Sequence, residues 1–112
     1  MKAILILIMS PPDSQNAARA LKLARDLNGQ GNRVGVCFLQ DGALLALNRG
    51  DEGVKDLIVQ LLSRKVDLYV IKDDLRMRGF GEKEFIPEAK LVDYHQLVDL
   101  LMDRYESILG AF

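Results

Sequence analysis

Cysteine and histidine are scarce in this sequence. Its 112 residues contain one cysteine, Cys37, and one histidine, His95. A single cysteine excludes an internal disulfide and a zinc site with several cysteine ligands, and it is typical of a reducing cytosol, so we expect a cytoplasmic protein. A metal site would need carboxylates for nearly all of its ligands, so we expect no metal. We interpret His95 as a solvated or interface residue rather than an acid or base.

An excess of charge of one sign and long apolar runs are also absent. Lysine and arginine together number 15 and aspartate and glutamate 16, which leaves a net charge of −1. This balance argues against non-specific binding of nucleic acid. The apolar run Ala3–Met9 is far shorter than the roughly 20 residues that span a bilayer. No small-residue cleavage site follows it, so we expect a chain that does not associate with membranes.

The motifs of common cofactor sites are missing as well. No G-x-G-x-x-G follows the first predicted strand, and neither a P-loop nor a C-x-x-C occurs. The first strand ends at Ile8-Met9-Ser10, without the acidic residues that a phosphorylated receiver domain needs. We therefore expect no cofactor.

The chain does contain apolar strands that alternate with amphipathic helices. Continuous apolar runs predict strands covered on both faces. Their alternation with helices predicts one α/β domain over residues 1–112, a three-layer α/β/α sandwich with a mostly parallel sheet of four or five strands. The predicted strands are Lys2–Met9, Arg33–Leu39, Val66–Ile71 and Lys90–Val92, and the predicted helices are 14–27, Ala43–Leu47, Val54–Ser63, Asp73–Arg78 and 93 to about 109.

Polar residues follow three of the predicted strands. In a parallel sheet these strand ends meet at the carboxyl edge, which is the usual place for a ligand site. Asp41 either faces this site or closes an Asp-Gly turn by bonding its own backbone. Lys72 is a candidate for binding an anion, whereas two acids at a helix start also serve as caps. The candidate ligand-binding residues are Ser10, Asp41, Gly42, Lys72, Asp73 and Asp74.

Two other features have a structural and a functional interpretation. Cys37 is either a sulfur-accepting nucleophile or a small apolar residue buried between Val36 and Phe38, and the second interpretation is favoured. Arg76 and Arg78 before Gly79 are typical of a solvated last helical turn with a glycine cap.

Three segments resemble the DsrE/DsrF/DsrH group of sulfur-relay proteins, which includes TusB, TusC and TusD. They are RVGVCFLQDGALLAL, VDLYVIKDDLRMRGF and LVDYHQLVDLL, and over Val66–Leu101 they are most similar to the DsrH/TusB branch. The resemblance implies a flavodoxin-like α/β sandwich that forms homo-oligomers or assembles with paralogous sulfur-relay subunits. It also places Ile71 where catalytic relatives carry a persulfide cysteine. We therefore expect a non-catalytic, oligomer-forming subunit.

Two alternatives remain open at this point. One is a sulfur carrier or sulfurtransferase that uses Cys37. The other is a protein that binds a small anion between Lys72 and the loop Ser10–Asp13, beside the helix that starts at Ser14. The apolar segments around Phe80, Phe85 and Ile86 and at 108–112 must either dock on the chain's own body or be covered by a neighbouring molecule.

Overall fold

A computed structural model describes residues 2–47, 51–80, 85–110 and 112. The strands are β1 (Ala3–Ile8), β2 (Arg33–Phe38), β3 (Asp67–Ile71), β4 (Lys90–Val92) and β5 (Ser107–Leu109). The helices are α1 (Gln15–Gly29), α2 (Glu52–Ser63), α3 (Lys72–Met77) and α4 (Tyr94–Asp103), with a 3-10 helix at Gln40–Leu47.

The five strands form one sheet in the order β4-β3-β2-β1-β5, and every neighbouring pair is parallel. On one face, α1, α2 and the 3-10 helix cover the strands, and on the other face α4 is the one helix that does so among the described residues. The predicted α/β sandwich with a mostly parallel sheet is therefore confirmed.

The apolar strands are buried because side chains alternate between the two faces. Ile4, Ile6 and Ile8 pack towards α1 and α2, whereas Leu5 packs towards α4. The same alternation sends Cys37 and Ile71 into the layer beneath α4.

The prediction for the last helix is wrong at its C-terminal end. Instead of continuing to about residue 109, α4 ends at Asp103, and Ser107–Leu109 forms β5 beside β1. Tyr105 causes the change of direction: its ring is buried and its hydroxyl lies 3.2 Å from that of Tyr69. The Glu106 amide then donates to the Ala3 carbonyl, so pairing with an open strand edge replaces helical bonds.

Some of the described apolar residues after α3 and near the end of the chain dock on the body. Phe80, Phe85, Ile86 and Phe112 pack partly buried against the α1–α2 side of the core. Ile108 and Leu109 remain 46% and 36% exposed. Residues 48–50, 81–84 and 111 lie outside the described residues. Among the described helices, none is long and apolar enough to cross a bilayer.

Candidate functional site

Asp74 is the centre of the polar groups at the carboxyl edge. It is the one charged residue that is buried among those the structure describes, with 6% of its surface exposed. Its Oδ2 accepts two hydrogen bonds of 2.7 Å, from the Gln40 amide and from the Tyr94 hydroxyl. One carboxylate thus joins the end of β2, the start of α3 and the start of α4.

Arg78 makes a second connection between the same segments. Its Nη2 and Nε donate to Asp41 Oδ1 at 2.8 Å and 3.1 Å, and its Nη1 donates to the Asp74 carbonyl at 3.0 Å. Three donors of one guanidinium therefore hold the 3-10 helix against α3.

This geometry corrects three interpretations of the sequence. Neither Asp73 nor Asp74 caps α3, whose N-cap is Ile71 with no side-chain cap bond. The Asp74 carboxylate instead accepts a hydrogen bond from the backbone amide of Gln40, outside α3. The Asp73 Oδ1 atom lies 3.9 Å from Arg76 Nη1. The Asp41 carboxylate bonds Arg78 rather than its own turn, so the Arg78 side chain is only 26% exposed and is not a solvated residue. The glycine cap is confirmed, since Gly79 has a φ of +84°.

Gly42 is at this edge for a packing reason. A Cβ at this position would lie 2.1 Å from the Ile8 carbonyl oxygen, so only glycine lets the 3-10 helix approach β1 this closely. Its amide donates to the Met9 carbonyl at 3.2 Å.

Ser10 and Lys72 contribute less to the cluster. The Ser10 amide donates to the Phe112 carbonyl at 3.0 Å, which ties the end of β1 to the last residue. Lys72 is half-buried as the first residue of α3, and its side chain forms no hydrogen bond or ion pair within the described part of the chain.

Cys37 lies beneath this polar cluster. Its exposure is 0%, and burial, together with the nearby Asp74 carboxylate, raises the pKa of its thiol from 9.0 to about 12. Ile71, also at 0% exposure, shares the same layer under α4. Both residues are core residues by geometry and chemistry.

Tyr94 is the site residue that the sequence reasoning missed. Burial and the bond to Asp74 raise the pKa of its hydroxyl to about 12, so it remains a hydrogen-bond donor at neutral pH. Its one sequence signal is its position: it opens the helix after β4, and β4 pairs with β3. The described residues hold no group of three or more metal-ligating side chains. The cluster holds the segment after β2 against α3 and α4.

A groove in the described part of the chain lies at the opposite, amino edge. It encloses about 550 Å³, and its lining includes Lys2, Arg33, Arg104 and Tyr105. The Arg33 guanidinium stacks 5.7 Å from the centroid of the Tyr105 ring. The sequence reasoning did not identify this groove, because its cations come from three distant segments.

Comparison with known proteins gives a family and three similar folds. The family described as DsrH like protein matches residues 9–106. None of the curated protein sequences matches significantly. The ychN protein from E. coli superposes with a TM-score of 0.85 at 19% identity, over 97% of this chain and 98% of its own.

Two further structures are similar. MTH1491 from Methanobacterium thermoautotrophicum, titled a protein of unknown function, has a TM-score of 0.74 at 14% identity and covers 98% of this chain and 100% of its own. Tm0979 from Thermotoga maritima has a TM-score of 0.60 at 21% identity, and the match covers 90% of this chain and 93% of its own. At these identities the likeness concerns the fold alone, whereas the family match spans most of the sequence. The chain belongs to the DsrH-like protein family.

Proposed function

We propose that this chain is a non-catalytic, oligomer-forming subunit of a sulfur-relay system. Membership of the DsrH-like family supports a place in such a system. The observation that carries the non-catalytic part is Ile71. By the resemblance it occupies the position of the persulfide cysteine in catalytic relatives, and its side chain is aliphatic and 0% exposed.

The surroundings of Ile71 agree with this assignment. A persulfide forms on a thiolate sulfur, and an alkyl side chain has no atom that can hold the transferred sulfur. The next turn of chain carries Asp74, whose carboxylate is bonded to Gln40 and Tyr94 and closes the edge above. A nearby carboxylate also disfavours a thiolate, because like charges repel.

Burial of Cys37 argues against the sulfur-carrier alternative. With a thiol pKa of about 12, the fraction present as thiolate at neutral pH is on the order of one in 10,000 or less. The side chain has no exposed surface through which a donor could reach its sulfur. Its role in this proposal is that of a small core residue.

The test combines mass measurement with sulfur transfer. We expect light scattering to give a mass above that of the monomer, or affinity purification to recover a cysteine-bearing paralogue. Incubation with a persulfide donor should leave the native chain unlabelled, and Cys37→Ser should behave like the wild type. A strict monomer that recovers no thiol-bearing partner would contradict the oligomer-forming role. Sulfur label on Cys37 of the native chain would contradict the non-catalytic role.

A further inference from the structure

Helix α4 carries apolar side chains on more than its buried side. Leu97 and Leu100 face the sheet and are buried, as in any surface helix. Beyond them, Val98 and Met102 are 53% and 78% exposed, and Leu101 is half-buried. At 100° per residue, these three residues and Tyr94 form one flank of the helix. Gln96, Asp99 and Asp103 form the opposite flank, which is polar.

The sheet next to this helix is only partly covered. A helix about 10 Å wide spans roughly two strand spacings of about 4.8 Å, so α4 alone does not cover five strands. The positions under α4 on β2, β3 and β4 are buried, as for Cys37, Tyr69 and Val92. Past the buried Leu5, the same face is more open at the carboxyl end of β1 and on β5: Leu7 and Met9 are half-buried, and Ile108 is 46% exposed.

We propose that these two features form one docking surface for a second copy of this chain. The surface, called here the α4 face, consists of Val98, Leu101, Met102, Leu7, Met9 and Ile108. A two-fold dimer requires a patch that complements itself. The exposed flank of α4 forms an apolar ridge, and the open strands beside it form an apolar floor. The two meet that requirement, because the ridge of each copy can lie on the floor of the other. The inference rests on the proposed oligomer-forming function and names its surface.

Charge and area agree with a second copy as the occupant. None of the six residues of the α4 face is charged, and a net charge of −1 gives little repulsion between copies. A standard interface hides about 800 Å² per partner, roughly one eighth of the 6096 Å² surface of this chain. This requirement is modest for a face that holds an entire exposed helix flank.

The two-fold axis would pass near Val98, the middle residue of the exposed flank, with the two α4 helices antiparallel. Their dipoles then oppose each other, which is favourable. Helix α4 starts after Asp93 and ends at the amino edge, where Lys2, Arg33 and Arg104 outnumber Asp103 and Glu106. The antiparallel arrangement therefore brings the more basic end of each copy towards Asp93, the N-cap of the other helix.

Sedimentation velocity from about 1 to about 100 µM covers the range in which weak homodimers dissociate. We expect the wild type to dimerise and Val98→Glu to weaken the dimer by about 100-fold or more, because a charge would be buried without a partner. The matched control is Val59→Glu on α2, at 61% exposure, which should leave the dimer unchanged. Both positions are exposed in one copy, so neither variant is expected to unfold.

A second measurement reports the geometry directly. Because Cys37 is buried, Val98→Cys introduces an accessible thiol close to the two-fold axis. Oxidation should cross-link this variant to itself and leave Val59→Cys monomeric on a denaturing gel. If Val98→Glu remains oligomeric, or Val59→Glu dissociates equally, the α4 face is the wrong surface while the oligomer-forming function stands. If the wild type is monomeric but recovers a thiol-bearing paralogue, the second-copy proposal is wrong and the relay function stands.

Discussion

At the scale of single residues, the carboxylate of Asp74 decides the character of the carboxyl edge. A buried charge is costly unless hydrogen bonds replace the water it loses. Asp74 receives two such bonds, and the donors come from 34 residues before and 20 residues after it in the chain. The sequence reasoning placed Asp74 at one edge with Asp41, the neighbour of Gln40, but gave Gln40 no role there. It could not pair Asp74 with Gln40, because nothing local distinguishes Asp74 from its neighbour Asp73.

The two adjacent acids should therefore differ sharply in their effect on stability. We expect Asp74→Ala to lower the free energy of unfolding by about 1–3 kcal/mol, because two part-buried hydrogen bonds lose their shared charged acceptor. Asp73→Ala is the matched control and should change it by less than about 0.5 kcal/mol, since half of the Asp73 side chain is exposed and its contact with Arg76 is long. Urea denaturation at neutral pH measures both. Equal losses at the two positions would contradict the assigned role of Asp74.

Cys37 should make stability depend on pH in the alkaline range. Below about pH 9 its thiol is protonated in both folded and unfolded chains, so its contribution is present in full. Between about pH 9 and 12 only the unfolded chain ionises, so the free energy of unfolding falls as the pH rises.

The Cys37→Ala variant isolates this contribution. We expect it to cost about 1 kcal/mol at neutral pH through the small cavity it leaves. Between pH 9 and 11 the wild type should lose about 2 kcal/mol more than the variant, because the variant lacks the thiol. Denaturation curves across this range provide the measurement. Parallel losses in the two proteins would show that the thiol is not shielded.

At the scale of elements, Gly42 lets two segments approach more closely than side chains allow. The sequence reasoning treated it as part of a turn or a ligand site. In the structure, the 3-10 helix lies directly against the exit of β1, where any Cβ would meet the Ile8 carbonyl. Local turn chemistry does not reveal such an approach, because it depends on a segment more than 30 residues away.

Alanine at two glycines tests this approach. Gly42→Ala should lower the free energy of unfolding by about 3 kcal/mol. The new Cβ would collide with backbone atoms of Ile8, which cannot move aside as a flexible side chain can. Gly29→Ala, at the end of α1, meets nothing closer than 3.6 Å and should raise it by up to about 1 kcal/mol through helix propensity. Thermal melting of both variants gives the comparison. A neutral Gly42→Ala would mean that the 3-10 helix can move away from β1.

The boundary between α4 and β5 shows where helical periodicity is insufficient. Residues 97–109 contain enough apolar positions to continue a helix. Two tertiary contacts compete with it: the Tyr105 hydroxyl next to Tyr69, and the free edge of β1 that accepts β5. Both depend on strands formed far earlier in the chain. Helix propensity and apolar spacing explain why a helix forms here, and strand pairing with β1 explains why it ends at Asp103.

At the scale of the whole molecule, the sheet is covered unevenly and its strands differ in length. The central strands β1 and β2 have six residues each, whereas the edge strands β4 and β5 have three. Local opening is cheapest where few hydrogen bonds and few buried side chains must be disrupted. The two edges should therefore open without the centre.

Amide hydrogen exchange can measure this difference residue by residue. We expect the amides of β1 and β2 to exchange only by global unfolding, and those of β4 and β5 to exchange at least about 100-fold faster through local opening. Nuclear magnetic resonance at neutral pH resolves the individual strands. Protection of β4 and β5 equal to that of β2 would mean that the sheet opens as a single unit.

The sequence by itself determined the α/β class, four of the five strands, the capped starts of α1 and α4, and the core role of Cys37. These features follow from side-chain periodicity and local capping, which act within a few residues. Tertiary structure alone decided that Asp74 binds Gln40 and Tyr94, that Arg78 binds Asp41, and that Ser107–Leu109 becomes a strand. Each of these contacts joins segments distant in the chain, and their partners are known only once the sheet has placed them side by side.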